Sequence, residues 1–428
     1  MSAEASLPGT ALLSRLWRDP AAWLTTADIL AILIAVALPW STSLVAIFAA
    51  AFLVAQAPFF DAKAFLQLLR RPVCTLPLAL FALAVAGTLW SDAAWGARLY
   101  AIGPTLKLLV LPALFYHFAR SGRGLWILLA FLIACTLLMA LSWIVLFVPQ
   151  LKVTLTQSPG VPVKNYIDQS QEFAFCAVAL AYPVVALLRT NRIWQAVLLA
   201  AISLSFVVNM IFVIVSRTAL VTIPVMLAVF ALLHLKWRSI VVIFCVMVLF
   251  AGLAWKISPQ IRATTTSFLS DYELYKETNK PTSGGLRLEY WKKSLQFFTE
   301  APILGHGTGS TRGLFERAAV GQTGAGADVV GNPHNQTLNM AVQWGAIGII
   351  TLYAMWFVHL RMFRGDDMAN WIGLLVVAQN IFTSLFNSHL FDFHEGWMYV
   401  LGVGVAGGMK LKSSSREAAA GARPPGSA

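Results

Sequence analysis

Ser283-Gly284-Gly285-Leu286-Arg287-Leu288-Glu289-Tyr290-Trp291 lies in the middle of Lys256 to Asn335, the one long polar interval of an otherwise apolar chain. Farther along come Pro302-Ile303-Leu304-Gly305-His306-Gly307-Thr308-Gly309 and, at the close, Gly331-Asn332-Pro333-His334-Asn335. On both sides the sequence reads as membrane. The fold this implies is a bundle of membrane helices interrupted once by a large polar loop.

Composition agrees. The chain has 428 residues, of which 58% are hydrophobic and 12% charged. A soluble domain carries about 25% charged residues, so most of this chain is not solvated by water. Met1 to Pro20 has no apolar run with a small-residue cleavage site, so no cleaved signal peptide is expected and the first span serves as the insertion signal. The cysteines, Cys74, Cys135, Cys176 and Cys245, are scattered through apolar runs. Neither a disulfide framework nor a zinc site is suggested.

A helical span needs roughly 20 apolar residues. Twelve stretches are candidates, the first two being short and hairpin-like. They are Ala27–Trp40, Leu44–Ala57, Val73–Trp90, Tyr100–Phe118, Leu125–Val148, Glu172–Leu188, Ile193–Val215, Thr218–Leu235, Ser239–Trp255, Thr337–Leu360, Ala369–Asn387 and Gly396–Met409. The expected fold class is an all-α integral membrane protein of about twelve transmembrane helices with its large loop between helices 9 and 10. Its parts are an N-terminus over residues 1–26, helices 1–9 over 27–255, the loop over 256–336, helices 10–12 over 337–409, and a disordered tail over 410–428.

Charge sets the orientation. One set of alternate loops holds Arg15, Arg18, Lys63, Arg70, Arg71, Arg120, Arg123, Arg189, Arg192, Lys236, Arg238, Arg361, Arg364, Lys410, Lys412, Arg416 and Arg423; the short loops of the other set hold only Arg98, Lys152, Lys164 and Arg217. By the positive-inside rule both termini are cytoplasmic and the long loop lies outside. ATP and nucleic acid are not available there, so the formal charge of +12 argues for topology rather than nucleic-acid binding. Gly305–Gly309 lacks the Gly-Lys-Ser/Thr of a nucleotide phosphate loop. It reads as a tight turn whose bare backbone lets a ligand or another loop approach closely.

Three residues stand out for chemistry. Arg217 sits between two spans, where a guanidinium near hydrocarbon is costly, although it could merely snorkel. Arg287 opens a helix whose apolar stripe, Leu288, Trp291, Leu295 and Phe298, suits the outer interface; as a solvated charge it would need no function, and at a helix N-terminus it suits an anion. His334 follows Asn332-Pro333 just before a span, at the mouth of the bundle, and titrates near neutrality. Arginine forks match phosphate oxygens, and a neutral imidazole can take a proton from an attacking hydroxyl. Lys107 lies about seven residues inside the fourth span, roughly 10 Å at the helical rise, and either snorkels or adds charge to a lipid-phosphate site. Arg98, Lys152 and Lys164 read as solvated. The last outer loop, His389-Leu390-Phe391-Asp392-Phe393-His394-Glu395, offers metal-type donors, but Asp392 serves better as an orienting group; no metal or cofactor is expected.

Ser216-Arg217, Arg287-Leu288-Glu289-Tyr290-Trp291 with Pro302-x-x-Gly305-x-Gly307-x-Gly309, and Pro333-His334-Asn335-x-x-Leu338 with Gly345 beyond, together resemble the bacterial O-antigen ligases of the wider ligase/polymerase superfamily. The layout of spans and loop is similar as well. The resemblance implies a glycosyltransferase of the GT-C type in the inner membrane, its active site facing the periplasm. The donor would be O-antigen on undecaprenyl diphosphate, and the acceptor a hydroxyl of the lipid A core. Transfer would be inverting and metal-independent, with membrane lipid and no nucleic acid as partners. Arg217 and Arg287 would hold the diphosphate and His334 would be the general base, with Lys107, Glu289 and Asp392 in support. The rival readings are an O-antigen polymerase, a protein O-oligosaccharyltransferase and, in a different class, a transporter of lipid-linked sugar. A transporter would favour internal repeats and midplane charges, and no repeat is visible.

Overall fold

The computed structural model describes residues 19–154, 158–214 and 216–421, except the side chains of residues 217, 220, 234, 243, 264, 268, 269 and 417–421. Among them all regular structure is helical. The helices are α1 Pro20–Ala37, α2 Thr42–Ala55, α3 Ala62–Leu69, α4 Pro72–Ala86, α5 Trp95–Ile102, α6 Val110–Phe118, α7 Gly124–Phe147, α8 Tyr166–Ala179, α9 Ala181–Arg189 and α10 Ile193–Phe212. Then follow α11 Arg217–His234, α12 Trp237–Ile257, α13 Pro259–Thr278, α14 Ser283–Glu300, α15 Thr311–Ala319, α16 Gln336–Met362, α17 Met368–Thr383 and α18 Phe393–Gly421.

The chain is an integral membrane protein. On α7 the exposed residues Leu125, Leu129, Ile133 and Leu137 recur every four positions, opposite buried Ile127, Phe131, Cys135 and Leu138. A helix with apolar residues on its exposed face is built for lipid, not water. Each of the twelve expected stretches coincides with helix. Among the described residues eight runs are long and apolar enough to cross a bilayer, and α3 with α4, bent by 79°, would make a ninth. Met368–Thr383 and the apolar part of α11, Val221–Leu233, are shorter.

Two spans are broken where proline dictates. Pro104 opens a 3-10 turn, Gly103–Leu109, between α5 and α6. Pro183 has no N–H and its ring crowds the carbonyl four residues back, so helix yields between α8 and α9. The third break organises the molecule. Gly345 sits inside α16 at φ 58° and ψ −150°, and the glycine-rich turn threads the gap. His306 N–H donates to Val342 O at 2.9 Å, Gly307 N–H to Gln343 O at 2.8 Å, and Ala346 N–H to Pro302 O at 2.8 Å. Backbone groups freed by the break are thus satisfied by the turn, as a buried backbone requires. The turn is also tied to α4: Thr308 N–H reaches Gly87 O at 3.0 Å and its hydroxyl reaches Ala84 O at 2.6 Å. The close approach permitted by Gly305–Gly309 is therefore to the chain's own helices.

The polar interval is not one interfacial helix but three, α13 to α15. Thr282 caps α14 by accepting from Gly285 N–H at 3.2 Å. Its buried face is Tyr290, Ser294 and Phe297, which joins Leu314, Phe315 and Val342 in a small second core. Of the expected stripe, Leu288 and Leu295 are exposed, while Trp291 packs against that second core. That leaves an apolar surface free for the membrane interface. α18 runs on to Gly421 where a disordered tail was expected, because Lys410–Ala420 is rich in helix formers and has no proline. Residues 1–18 and 422–428 lie outside the described residues.

Candidate active site

Asn335 caps α16 by accepting from Leu338 N–H at 3.0 Å. Its own amide reaches Leu385 O at 3.0 Å, while Gln336 N–H donates to Ser384 O at 2.8 Å. These bonds pin the start of α16, which carries His334, to the loop between α17 and α18. α14 packs alongside and brings Arg287 and Tyr290.

His334 adopts the left-handed conformation, φ 53°, held by its N–H donating to Asn332 Oδ1 at 2.9 Å. Its Nδ1 lies 2.8 Å from Asn387 Oδ1, and Asn387 Nδ2 donates to Asp392 Oδ2 at 2.7 Å. Tyr290 lies over the imidazole, with ring centroids 5.9 Å apart and planes tilted by 31°; the Tyr290 hydroxyl donates to Asp328. A second relay of side chains runs from the glycine-rich turn. Gly309 N–H donates to Gln343 Oε1 at 2.9 Å, Gln343 Nε2 to Asn339 Oδ1 at 2.8 Å, Asn339 Nδ2 to Ser388 Oγ at 3.2 Å, and Ser388 Oγ to Asn332 Oδ1 at 2.7 Å. His334 is thus fixed through both ring and backbone.

Burial holds the His334 imidazole below its ordinary pKa, and the Arg287 guanidinium adds to this against the opposing hydrogen bond to Asn387. A group held below the usual 6.5 is neutral at pH 7 and can accept a proton. Asp392 is pushed up to about 7 by burial, opposed by Lys107. His389, buried behind it, is pushed down to about 4 by burial.

The other sequence candidates fall differently. Lys107 is buried, and its ammonium donates to the carbonyls of Phe391, at 3.1 Å, and Asp392. It therefore braces the α17–α18 loop and does not snorkel. Glu289 accepts from the Tyr275 hydroxyl at 3.0 Å, tying α14 to α13. Arg217 is the first residue of α11, which packs on α8 and α17; its side chain lies outside the described residues. Lys164 is not solvated but donates to Leu38 O, and Arg98 donates to the carbonyls of Ala93 and Thr88 at 2.6 and 2.8 Å. The metal-type donors of the last loop are divided: His394 Nδ1 pairs with Asp168 Oδ2 at 2.5 Å. No group of three or more metal-type residues that could hold a metal ion occurs among the described residues.

Sequence reasoning gave no role to Tyr290, Asn332 or Asn387. Tyr290 was visible as the aromatic residue one helical turn after Arg287. Asn387 could be reached only as a polar residue ending an apolar span, a weak signal.

A neutral imidazole beside a guanidinium, both held at one end of a membrane bundle, can deprotonate a hydroxyl next to a bound anion. A family model described as O-antigen ligase matches residues 202–353, from α10 into α16, and takes in Arg217, Arg287 and His334. That segment is similar to the O-antigen ligases. No curated protein matches it. Lys107, Asn387 and Asp392 lie outside the segment similar to the O-antigen ligases yet complete the surroundings of His334.

Proposed function

We propose that the protein is an O-antigen ligase, an inverting and metal-independent glycosyltransferase of the GT-C type. On this reading it crosses the bacterial inner membrane twelve times with both termini in the cytoplasm, and the site faces the periplasm. The donor is a polysaccharide on undecaprenyl diphosphate and the acceptor a sugar hydroxyl of the lipid A core. The observation that carries the reading is His334, neutral, beside Arg287 at the bundle mouth inside the segment that matches the family.

The chemistry follows from these groups. The acceptor oxygen forms a bond to the anomeric carbon from the face opposite the diphosphate. The bond from that carbon to the diphosphate oxygen breaks, and its electron pair leaves with the diphosphate. The hydroxyl proton passes to His334. Base assistance contributes roughly 10²–10⁴-fold, and positive charge from Arg287 and Arg217 stabilises the departing diphosphate.

Purified protein in detergent, given an undecaprenyl-diphosphate-linked glycan and lipid A core, tests the reading. A conjugate of core and glycan, formed equally well with EDTA, is the expected product. A longer glycan still on undecaprenyl diphosphate would make the protein a polymerase, and no new covalent product would favour a transporter.

A further inference from the structure

We propose that Asn387 is a positioning residue that fixes which ring nitrogen of His334 carries the proton. The inference rests on the reading of His334 as general base. An imidazole can serve as a base only if the nitrogen that faces the hydroxyl is unprotonated. Here the choice is dictated from a backbone amide outward.

The N–H of His334 can only donate, so the Asn332 atom 2.9 Å away is the carbonyl oxygen. The other end of Asn332 is then its NH₂, a donor, and it lies 3.4 Å from Asn387. The Asn387 atom between Asn332 and the imidazole must accept, which makes it Oδ1. Its NH₂ therefore faces Asp392 Oδ2, at 2.7 Å. His334 Nδ1, 2.8 Å from Asn387 Oδ1, must carry the hydrogen. The lone pair is left on Nε2.

The amide does something a carboxylate would not. A carboxylate against Nδ1 stabilises the imidazolium and raises its pKa, whereas an amide orients the ring without adding charge. The carboxyl of Asp392 is kept one residue farther back. The groups facing the imidazole are Arg287 and Tyr290 from α14 and His389 and Asn387 from the α17–α18 loop; Asp392 sits behind Asn387, where Lys107 and, from α8, Asp168 face it in turn. The result is a base that is held neutral, with its lone pair on Nε2.

The test has a structural and a kinetic arm. Full-length protein labelled with ¹⁵N-histidine is placed in lipid nanodiscs, and the His334 signal is assigned with His334→Gln. At pH 7.5 His334 is expected as the Nδ1–H tautomer, and Asn387→Leu is expected to convert it to a mixture or to Nε2–H. Wild-type His334 in the Nε2–H form, or an Asn387→Leu protein with an unchanged tautomer, overturns the proposal whatever the activity. In the transfer assay Asn387→Leu lowers kcat at least about 10-fold, with the base's own roughly 10²–10⁴-fold as the ceiling. Asn387→Asp, close in shape and usable if the leucine variant does not fold, keeps the Nδ1–H contact and moves the acidic limb of kcat/KM up by about 1 pH unit or more. A limb that stays in place in Asn387→Asp would make Asn387 merely structural and overturn the proposal. Full activity of His334→Ala would instead refute the base itself and leave the tautomer result standing, so the two failures are distinct.

Discussion

Replacing Gly345 with alanine strikes at the junction where the glycine-rich turn passes through the broken α16. Gly345 sits at φ 58° and ψ −150°, a region in which a side chain costs about 1–3 kcal/mol. The added Cβ would lie 2.4 Å from Ile303 O and 2.7 Å from Gly305 N. Both are backbone atoms, so no rotamer change relieves the contact, and overpacking of this kind costs about 1–3 kcal/mol. If the turn withdraws instead, the bonds His306 N–H to Val342 O, Gly307 N–H to Gln343 O and Ala346 N–H to Pro302 O are lost. Unmade bonds of that sort cost about 1–3 kcal/mol each, so withdrawal is no cheaper. A penalty of about 2–6 kcal/mol follows from strain and overpacking together. At about 2.1 cal/mol/K per residue, a chain this long shifts by about 1 °C per kcal/mol, so the unfolding midpoint in detergent falls by about 2–6 °C. Intrinsic fluorescence during a thermal ramp measures it. The control is Gly331→Ala, whose Cβ would meet nothing within 4 Å. If Gly345→Ala melts together with the Gly331→Ala control and the wild type, the threading described here is wrong.

Other substitutions separate roles within the site. Tyr290→Phe keeps the ring over His334 and loses the bond to Asp328, so initial rates of transfer stay near wild type; Tyr290→Ala loses a contact worth about 0.5–1.5 kcal/mol and falls about 2- to 10-fold. Lys107→Met frees the carbonyls of Phe391 and Asp392, so steady-state kinetics should show kcat falling with the donor KM unchanged; a rise in KM alone would mean that Lys107 touches the diphosphate. The pH profile of kcat/KM follows from the depressed pKa of His334. The active form is the neutral one, present above that pKa, so activity is full at pH 7 and is lost on acidification only below the ordinary 6.5; an acidic limb above 6.5 would contradict it.

Much of the fold was legible because hydrocarbon demands long apolar runs and leaves few alternatives. Ile193–Val215 and Leu125–Val148 read as spans and are helices at almost those bounds, α10 and α7. Breaks were harder to see. Gly345 lies in a run apolar enough to pass as one helix, and only the incoming turn from Pro302 explains why it must open. The stripe of α14 reads as a periodicity that leaves Leu288 and Leu295 exposed, while Trp291 leans on the second core. In a membrane protein an apolar face can point to lipid as well as to a core, and Tyr290 and Phe297 won the core side. The candidate site was legible where charge or titration made residues costly, as at Arg287 and His334, which the fold brings to the same end of the bundle. Lys107 was misread because its position relative to the bilayer was visible and its carbonyl partners, Phe391 and Asp392, were not. Asn387 carries no charge and leaves no pattern, and it became visible only through its distances to His334 and Asp392.

The central claim is that His334 takes the proton from an acceptor hydroxyl during glycan transfer from a lipid diphosphate. The direct measurement is the single-turnover rate of transfer from undecaprenyl-diphosphate-linked glycan to lipid A core, for wild type and for His334→Ala with an unchanged melting profile. A loss of about 10²–10⁴-fold, with donor binding retained, is what general base catalysis by His334 requires. Transfer by His334→Ala at the wild-type rate would contradict it.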